Sequence, residues 1–412
     1  MSIFADVTPL KRSPEFRRYF AGQVVSLLGS QFTVVAMRFQ AYQITGKTYV
    51  VGLLGLTQLV PLLVAAIGLG QLADALDRRR ILLVTQVLLG VCSLALALNA
   101  HRAHPSLVVI FVLAAVSSFI VGIDWPTRNA FLTNLVGPDL LRPSLALNQV
   151  LFNLAAVIGP TVAGFVIQAS TFSAYAFDAA SYVFLLTMVV TLPGQARASA
   201  KLRLRFSNIG DGLRYARGNR VLRSTFVADI GAMVFGLPDA LFPAMAVKVF
   251  RGGARTFGLL QAAPGLGALI TMATTGWTAR VRRQGQAVIA CIVVWGVAIA
   301  VFGVSRWLPL ALLALAVAGG ADAVSALFRS TIVQVTTPDE YRGRLSALHI
   351  AVVRGGPRVG EMESGIAASV IGLQAAAWTG GLACLVWIAV TAWRYPELAR
   401  YRTDDAAGPD PA

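Results

Sequence analysis

The sequence predicts an all-α membrane protein of twelve transmembrane helices arranged as two six-helix bundles, and three observations carry that reading. Hydrophobic residues make up 56% of the 412, and charged residues only 13%, well below the roughly 25% of soluble domains. Apolar runs near the ~20 residues that cross ~30 Å of hydrocarbon recur along the whole chain. The basic residues divide unequally between the two sides that those runs define.

Taken in order, apolar runs bounded by charges, Gly and Pro place helices at 18–42, 49–73, 81–100, 106–131, 144–168 and 172–193. A second set follows at 224–250, 256–279, 286–305, 308–333, 345–371 and 375–394. The start carries Lys11, Arg12, Arg17 and Arg18 but no short apolar core with a cleavage site, so the first run reads as an uncleaved span. Between the sets lies the longest polar stretch, about 194–223, with Arg197, Lys201, Arg203, Arg205, Arg214, Arg217, Arg220 and Arg223. It reads as a cytoplasmic linker, with a surface amphipathic helix over 208–217. The expected organisation is a bundle over 1–193, the linker 194–223, a second bundle over 224–396 and a tail over 397–412.

The formal charge of +16 invites a nucleic-acid partner, but position explains it better. Of 35 Lys and Arg, six fall outside (Lys47, Arg102, Lys248, Arg251, Arg255, Arg306) and five within spans (Arg38, Arg128, Arg329, Arg354, Arg358). The other 24 lie on the side of both termini, which the positive-inside rule makes cytoplasmic. No nucleic-acid partner is expected. Cys92, Cys291 and Cys384 all sit in apolar runs without metal-ligand spacing, so no metal, cofactor or disulfide is expected.

The halves echo each other. Pro138-Asp139-Leu140-Leu141-Arg142 after the fourth helix is matched by Pro338-Asp339-Glu340-Tyr341-Arg342 after the tenth. Gly70 to Arg80 after the second helix has a weaker partner in Gly276 to Arg283 after the eighth. Two matches at equivalent positions favour a six-plus-six duplication, a common plan among transporters.

These residues resemble the major facilitator superfamily over nearly the whole chain. Its hallmark loop is a Gly-x-Leu-Ala-Asp run followed by basic residues, and this chain has Gly70-Gln71-Leu72-Ala73-Asp74, then Asp77-Arg78-Arg79-Arg80. Ala75 and Asp77 depart from the usual basic residue and Gly, and the second-half copy has Arg280 where an acid is expected. The acid and Arg cluster, Asp74 and Arg78 foremost, are expected to latch helix ends in one conformation. Helix 5 is similar to the antiporter motif of spaced small residues, with Ala146, Ala155, Gly159-Pro160 and Ala163-Gly164. Arg354-Gly355-Gly356-Pro357-Arg358-Val359-Gly360-Glu361 and Gly380-Gly381-Leu382-Ala383-Cys384 look like the branch with enterobactin-type siderophore exporters and multidrug pumps. The resemblance implies a secondary active transporter of the bacterial inner membrane, both termini cytoplasmic, working as a monomer by alternating access.

Ionisable residues inside spans are costly and therefore functional candidates. The resemblance puts the first, fourth, seventh and tenth helices around a central cavity, and all four carry charge: Arg38; Asp124 with Arg128; Asp239; Asp322 with Arg329. Arg38 shares a helical face with Gln31, Val34, Val35 and Tyr42, which suits an anionic or phenolic substrate; a pair with Asp239 or Asp322 is the alternative. Asp124 and Arg128 stand four apart and can pair internally, in a gating or scaffold role. Arg354, Arg358 and Glu361 share a face around Gly355-Gly356-Pro357, where a break in helix 11 predicts a hinge beside a polar cavity; a salt-bridged packing kink is the alternative. Proton antiport needs a buried acid beside a cation, and Asp239, Asp322 and Glu361 are the candidates.

Rival classes find less support. Ala41 to Thr48 approaches a phosphate-binding loop but lacks its first Gly and any following soluble helix. No paired His, metal spacing or nucleophile elbow points to an enzyme. A transporter-like sensor could fill its cavity with apolar residues instead of charges. The expected function is therefore export of a small organic molecule, siderophore-like or drug-like, coupled to protons, with membrane lipid as the surrounding partner. A proton-coupled nutrient importer or a broad multidrug efflux pump is the alternative.

Overall fold

The computed structural model describes residues 6–68, 77–192 and 207–402, and every regular element among them is helical. Twelve long helices follow one another. The first half holds α1 (Pro14–Thr45), α2 (Thr48–Gly68), α3 (Arg78–Ala100), α4 (Leu107–Leu135), α5 (Pro138–Ala169) and α6 (Thr171–Val190). The second holds α7 (Arg220–Val249), α8 (Gly253–Ala273), α9 (Gln284–Val304), α10 (Leu308–Thr336), α11 (Asp339–Ile371) and α12 (Leu373–Arg394). Among the described residues, eleven helices are long and apolar enough to cross a membrane, and α11 is the long helix outside that set. Its 33 residues span about 50 Å at 1.5 Å per residue. Composition sets it apart, because Arg354, Arg358, Glu361 and Glu363 crowd one stretch. The chain is a multi-pass membrane protein.

Helix ends run past the apolar stretches where local chemistry continues the turn. At α3, the carboxylate of Asp77 caps the N-terminus by accepting from the Arg79 N–H at 3.0 Å. The linker stretch contains a helix, Ser207–Gly218, whose Tyr215 stacks on Tyr341 of α11 at 4.3 Å between ring centroids. Asn219 then accepts from the Val221 and Leu222 N–H groups, so α7 starts at Arg220, inside the stretch read as linker.

Two helices depart from expectation in opposite directions. The run 224–250 reads as one helix, yet α7 breaks after Phe235 and resumes with a 3₁₀ turn, Asp239–Leu241, and a wider π turn, Met245–Val249. Pro238 has no N–H for the Val234 carbonyl, and the carbonyls of Gly236 and Leu237 within the break find partners on neighbouring helices. The Trp295 indole N–H donates to Gly236 O at 3.0 Å, and the Ser364 hydroxyl to Leu237 O at 3.5 Å. Conversely, the break expected in α11 at Gly355-Gly356-Pro357 is absent, and the helix is continuous from Asp339 to Ile371. Its glycines serve contact instead. A Cβ at Gly356 would lie 2.8 Å from the Met233 sulfur, and one at Gly360 3.0 Å from Val234 O, so α11 lies close against α7 just before the latter breaks.

The chain divides into two compact units. The first is Met1–Thr45, Thr57–Leu204 and Gly253–Ala262; the second is Gly46–Leu56, Arg205–Gly252 and Ala263–Ala412. The first is centred on Phe16, Tyr19, Leu82, Phe131 and Leu185, all essentially buried. Within it the start of α8 meets α5, where a Cβ on Gly258 would sit 2.9 Å from the Gly164 Cα. The second has a core at Leu222, Phe226, Val333 and Leu345. Within it the start of α2 meets α11: Thr48 Oγ1 donates to Gly365 O at 2.9 Å, and a Gly365 Cβ would lie 3.0 Å from the Tyr49 Cα. Only glycine lets helices pack this closely, and in a membrane such contacts replace the hydrophobic driving force. Cys92 and Cys384 are buried and Cys291 half-buried, all as free thiols.

Candidate functional site

In the first unit the fourth helix carries a closed polar cluster. Asp124 and Arg128, one turn apart on α4, form an ion pair with almost no exposure. The other Asp124 oxygen accepts from Thr85 Oγ1 at 2.6 Å and from the Gln86 amide at 2.7 Å, both on α3. Arg128 Nη2 in turn donates to Gln86 Oε1 at 2.9 Å. One charge of each sign is thus enclosed with neutral donors and acceptors, although Arg128 Nη1 makes no hydrogen bond.

The second unit carries a different cluster. Arg329 of α10 reaches Asp229 of α7 at 2.8 Å and Asp322 of its own helix at 3.2 Å. The Arg329 and Asp229 side chains are each only 2% exposed, whereas Asp322 is 40% exposed. The Arg329–Asp229 approach is close but not aligned as a hydrogen bond, and Arg329 Nε and Nη1 make none. Two carboxyl groups thus share one guanidinium.

The remaining expected residues distribute as follows. Arg38 of α1 is 8% exposed and donates through Nη1 to Gln261 Oε1 of α8 at 3.2 Å. Gln31, half-buried on the same helix, packs on Gly159, where a Cβ would lie 2.6 Å from its own Cβ. Ala155, Gly159, Pro160, Ala163 and Gly164 are all buried and form a contact face of α5 toward α1 and α8, whereas Ala146 is exposed. Asp239, half-buried, opens the 3₁₀ turn after the α7 break. On α11, Arg358 Nη1 donates to both Glu361 oxygens at 3.0 and 3.2 Å, and Glu361 is 3% exposed. Gly55 of α2 faces this pair, where a Cβ would lie 3.3 Å from Arg358 Cδ. Arg354 lies one turn before Arg358 with its side chain exposed, and Pro357 stands between them inside the helix. Gly70 and Asp74 lie outside the described residues. Of the basic run that follows them, Arg78 donates to Ala130 O at 3.4 Å and Arg79 to Val189 O at 3.2 Å and to Val190 O. These carbonyls lie in the last two turns of α4 and α6, the negative ends of those helices.

Two buried acids escaped the sequence reading. Asp229 is one, and its signal was plain: an acid in the apolar stretch Phe226-Val227-Ala228-Asp229-Ile230. The other is Asp178 of α6, 1% exposed, which accepts from Thr33 Oγ1 at 2.5 Å, Ser93 Oγ at 2.6 Å and Ser181 Oγ at 3.4 Å. No group of His, Cys, Asp and Glu able to hold a metal occurs among the described residues.

Comparison with known proteins gives the family and the fold. The profile of a family described as transmembrane secretion effector matches residues 4–407. An enterobactin exporter of Shigella flexneri is 27% identical over 95% of this chain and 94% of its own length. That of Citrobacter koseri is 28% identical over 85% and 84%. Among solved structures, a peptide transporter superposes with a TM-score of 0.76 at 12% identity, over 93% of this chain and 95% of its own. A nucleoside transporter gives 0.71 at 15% identity, over 92% and 99%. At such identities these structures share the fold alone.

Proposed function

The chain belongs to the transmembrane secretion effector family, a membrane transporter of the major facilitator fold, and on that premise we propose that it exports a small siderophore-like anion by proton antiport. The observation that carries the proposal is Arg329 held between Asp229 and Asp322. Arg329 offers one cation to two carboxyl groups, so a proton taken up by one of them changes how firmly it is held. Asp322, being exposed, exchanges that proton with water; Asp229, being enclosed, keeps Arg329 in place when Asp322 is neutral. Protonation of Asp322 releases its hold on Arg329, and substrate leaves as the protein alternates access.

On the substrate side, Arg38 and Gln31 on α1 supply a cation and an amide, chemistry that favours a carboxylate or catecholate. The names of the enterobactin exporters support the same class and the outward direction. The proposal includes an inner-membrane location with both termini cytoplasmic, a monomer, and 1–193 and 224–396 as the two repeats. Gly70, Asp74, Arg78, Asp124, Arg128, Gly159, Pro160, Arg354, Pro357, Arg358 and Glu361 act in coupling or gating rather than in substrate contact.

Inside-out vesicles with an acid interior test this reading. A catecholate siderophore should accumulate in them, and Arg38→Gln should abolish accumulation while leaving membrane expression intact. No accumulation, with uptake by whole cells instead, would mean import. Equal transport of unrelated hydrophobic cations would mean a broad drug pump.

A further inference from the structure

The first unit has a groove of about 630 Å³ along α3 and α4, which shares only Thr85 with the clusters above. Its floor is Ile81, Cys92 and Ile120, all buried; its walls are Val84, Leu88 and Val91, all more than two-fifths exposed. The lining is apolar except at one end, and Thr85 is already engaged with Asp124 and Leu82 O. From Arg80 to Cys92 it runs twelve residues, about 18 Å at 1.5 Å per residue. That is close to half of the ~30 Å hydrocarbon core, the depth of one lipid leaflet.

The polar end is charged. Arg80 sits in the first turn of α3 with its side chain 79% exposed, 3.8 Å from Asp77. Asp77 is occupied as the helix cap, and Arg78 and Arg79 are turned onto the carbonyls of α4 and α6. Arg80 therefore has its guanidinium exposed at the end of the trough, in the first turn of a 23-residue helix.

A second groove, about 470 Å³, lies along α8, α9 and α10 in the other unit and includes Cys291, the counterpart of Cys92 about 200 residues on. It has no charged side chain in its lining. Comparable places in the two halves thus offer apolar troughs, and the first alone of these two counts an arginine among its lining residues.

We propose that the α3–α4 groove docks one anionic phospholipid, an acyl chain lying along the trough and its phosphate against Arg80. The full-length protein, purified in detergent and stripped of lipid, is given phosphatidylglycerol or phosphatidylcholine of the same chain length, and retained lipid is counted by native mass spectrometry. Phosphatidylglycerol should be held about fivefold more strongly, the worth of one interfacial Arg. Arg80→Gln should erase that preference, and Leu88→Trp, which fills the trough, should reduce retention of phosphatidylglycerol. Leu313→Trp in the second groove, and Arg283→Gln at the start of α9, should leave the preference intact. Equal retention of the two lipids by the unaltered protein, a preference that survives Arg80→Gln, or an equal loss in Arg283→Gln would each overturn the proposal.

Discussion

Arg128 and Arg329 lie on the fourth helix of each half, about 200 residues apart, yet they keep different company. Arg128 has one carboxylate, and Thr85 and Gln86 satisfy the oxygen it leaves over. Arg329 has two carboxylates, one enclosed and one exposed. The first cluster is closed on all its carboxylate oxygens, whereas the second has a carboxylate that water can reach. The two arginines thus stand at matching places in the sequence with different partners, one beside a single enclosed carboxylate and the other between an enclosed and an exposed one.

The largest effect should come from breaking the second cluster. Arg329→Ala leaves Asp229 buried without its cation, a loss of about 3–5 kcal/mol, read as lost folded yield and a lower unfolding midpoint in detergent. Arg128→Ala should cost less, because Asp124 keeps two neutral donors. A larger loss at Arg128 would reverse the comparison. Gly258→Ala is the control in which charge takes no part: the α5–α8 approach is already too close for a Cβ, so overpacking of about 1–3 kcal/mol is expected.

Asp322→Asn should change stability by less than about 1 kcal/mol, since Asp229 still holds Arg329 and the replaced group is partly hydrated. It should nevertheless abolish transport driven by a pH gradient; transport that kept its normal pH dependence would refute Asp322 as the proton carrier.

The smallest effect is expected outside the membrane. The backbone at the start of the short helix Pro396–Arg400 holds the Glu397 carboxyl below its ordinary 4.5, with a hydrogen bond from Arg220 at 2.9 Å adding to it. A lowered folded-state pKa stabilises above the ordinary value and is lost as pH falls through the lowered one. Glu397→Gln should therefore melt slightly lower than the unaltered protein at neutral pH, the two converging in acid.

Much of the architecture was legible from residue order. Arg38, Asp124, Arg128, Asp322 and Arg329 announced themselves as charges in apolar runs, and the i, i+4 spacing of Asp124 and Arg128 anticipated their pair. Asp178 and Asp229 were equally visible as isolated acids but lacked a partner at helical spacing, so nothing local marked them. Gly355-Gly356-Pro357 was misread because composition shows where a helix can break, while neighbours decide where it does. The break fell in α7 at Pro238, where Trp295 and Ser364 donate to the carbonyls of Gly236 and Leu237.

Residue order alone determined a helical membrane chain with two similar halves, because the length and apolarity of a span are local properties that hydrocarbon enforces on every backbone polar group. Only the tertiary structure decided which acid meets which arginine. Asp229 and Arg329 are 2.8 Å apart through the packing of α7 on α10, and a hundred residues of intervening chain carry no record of that distance.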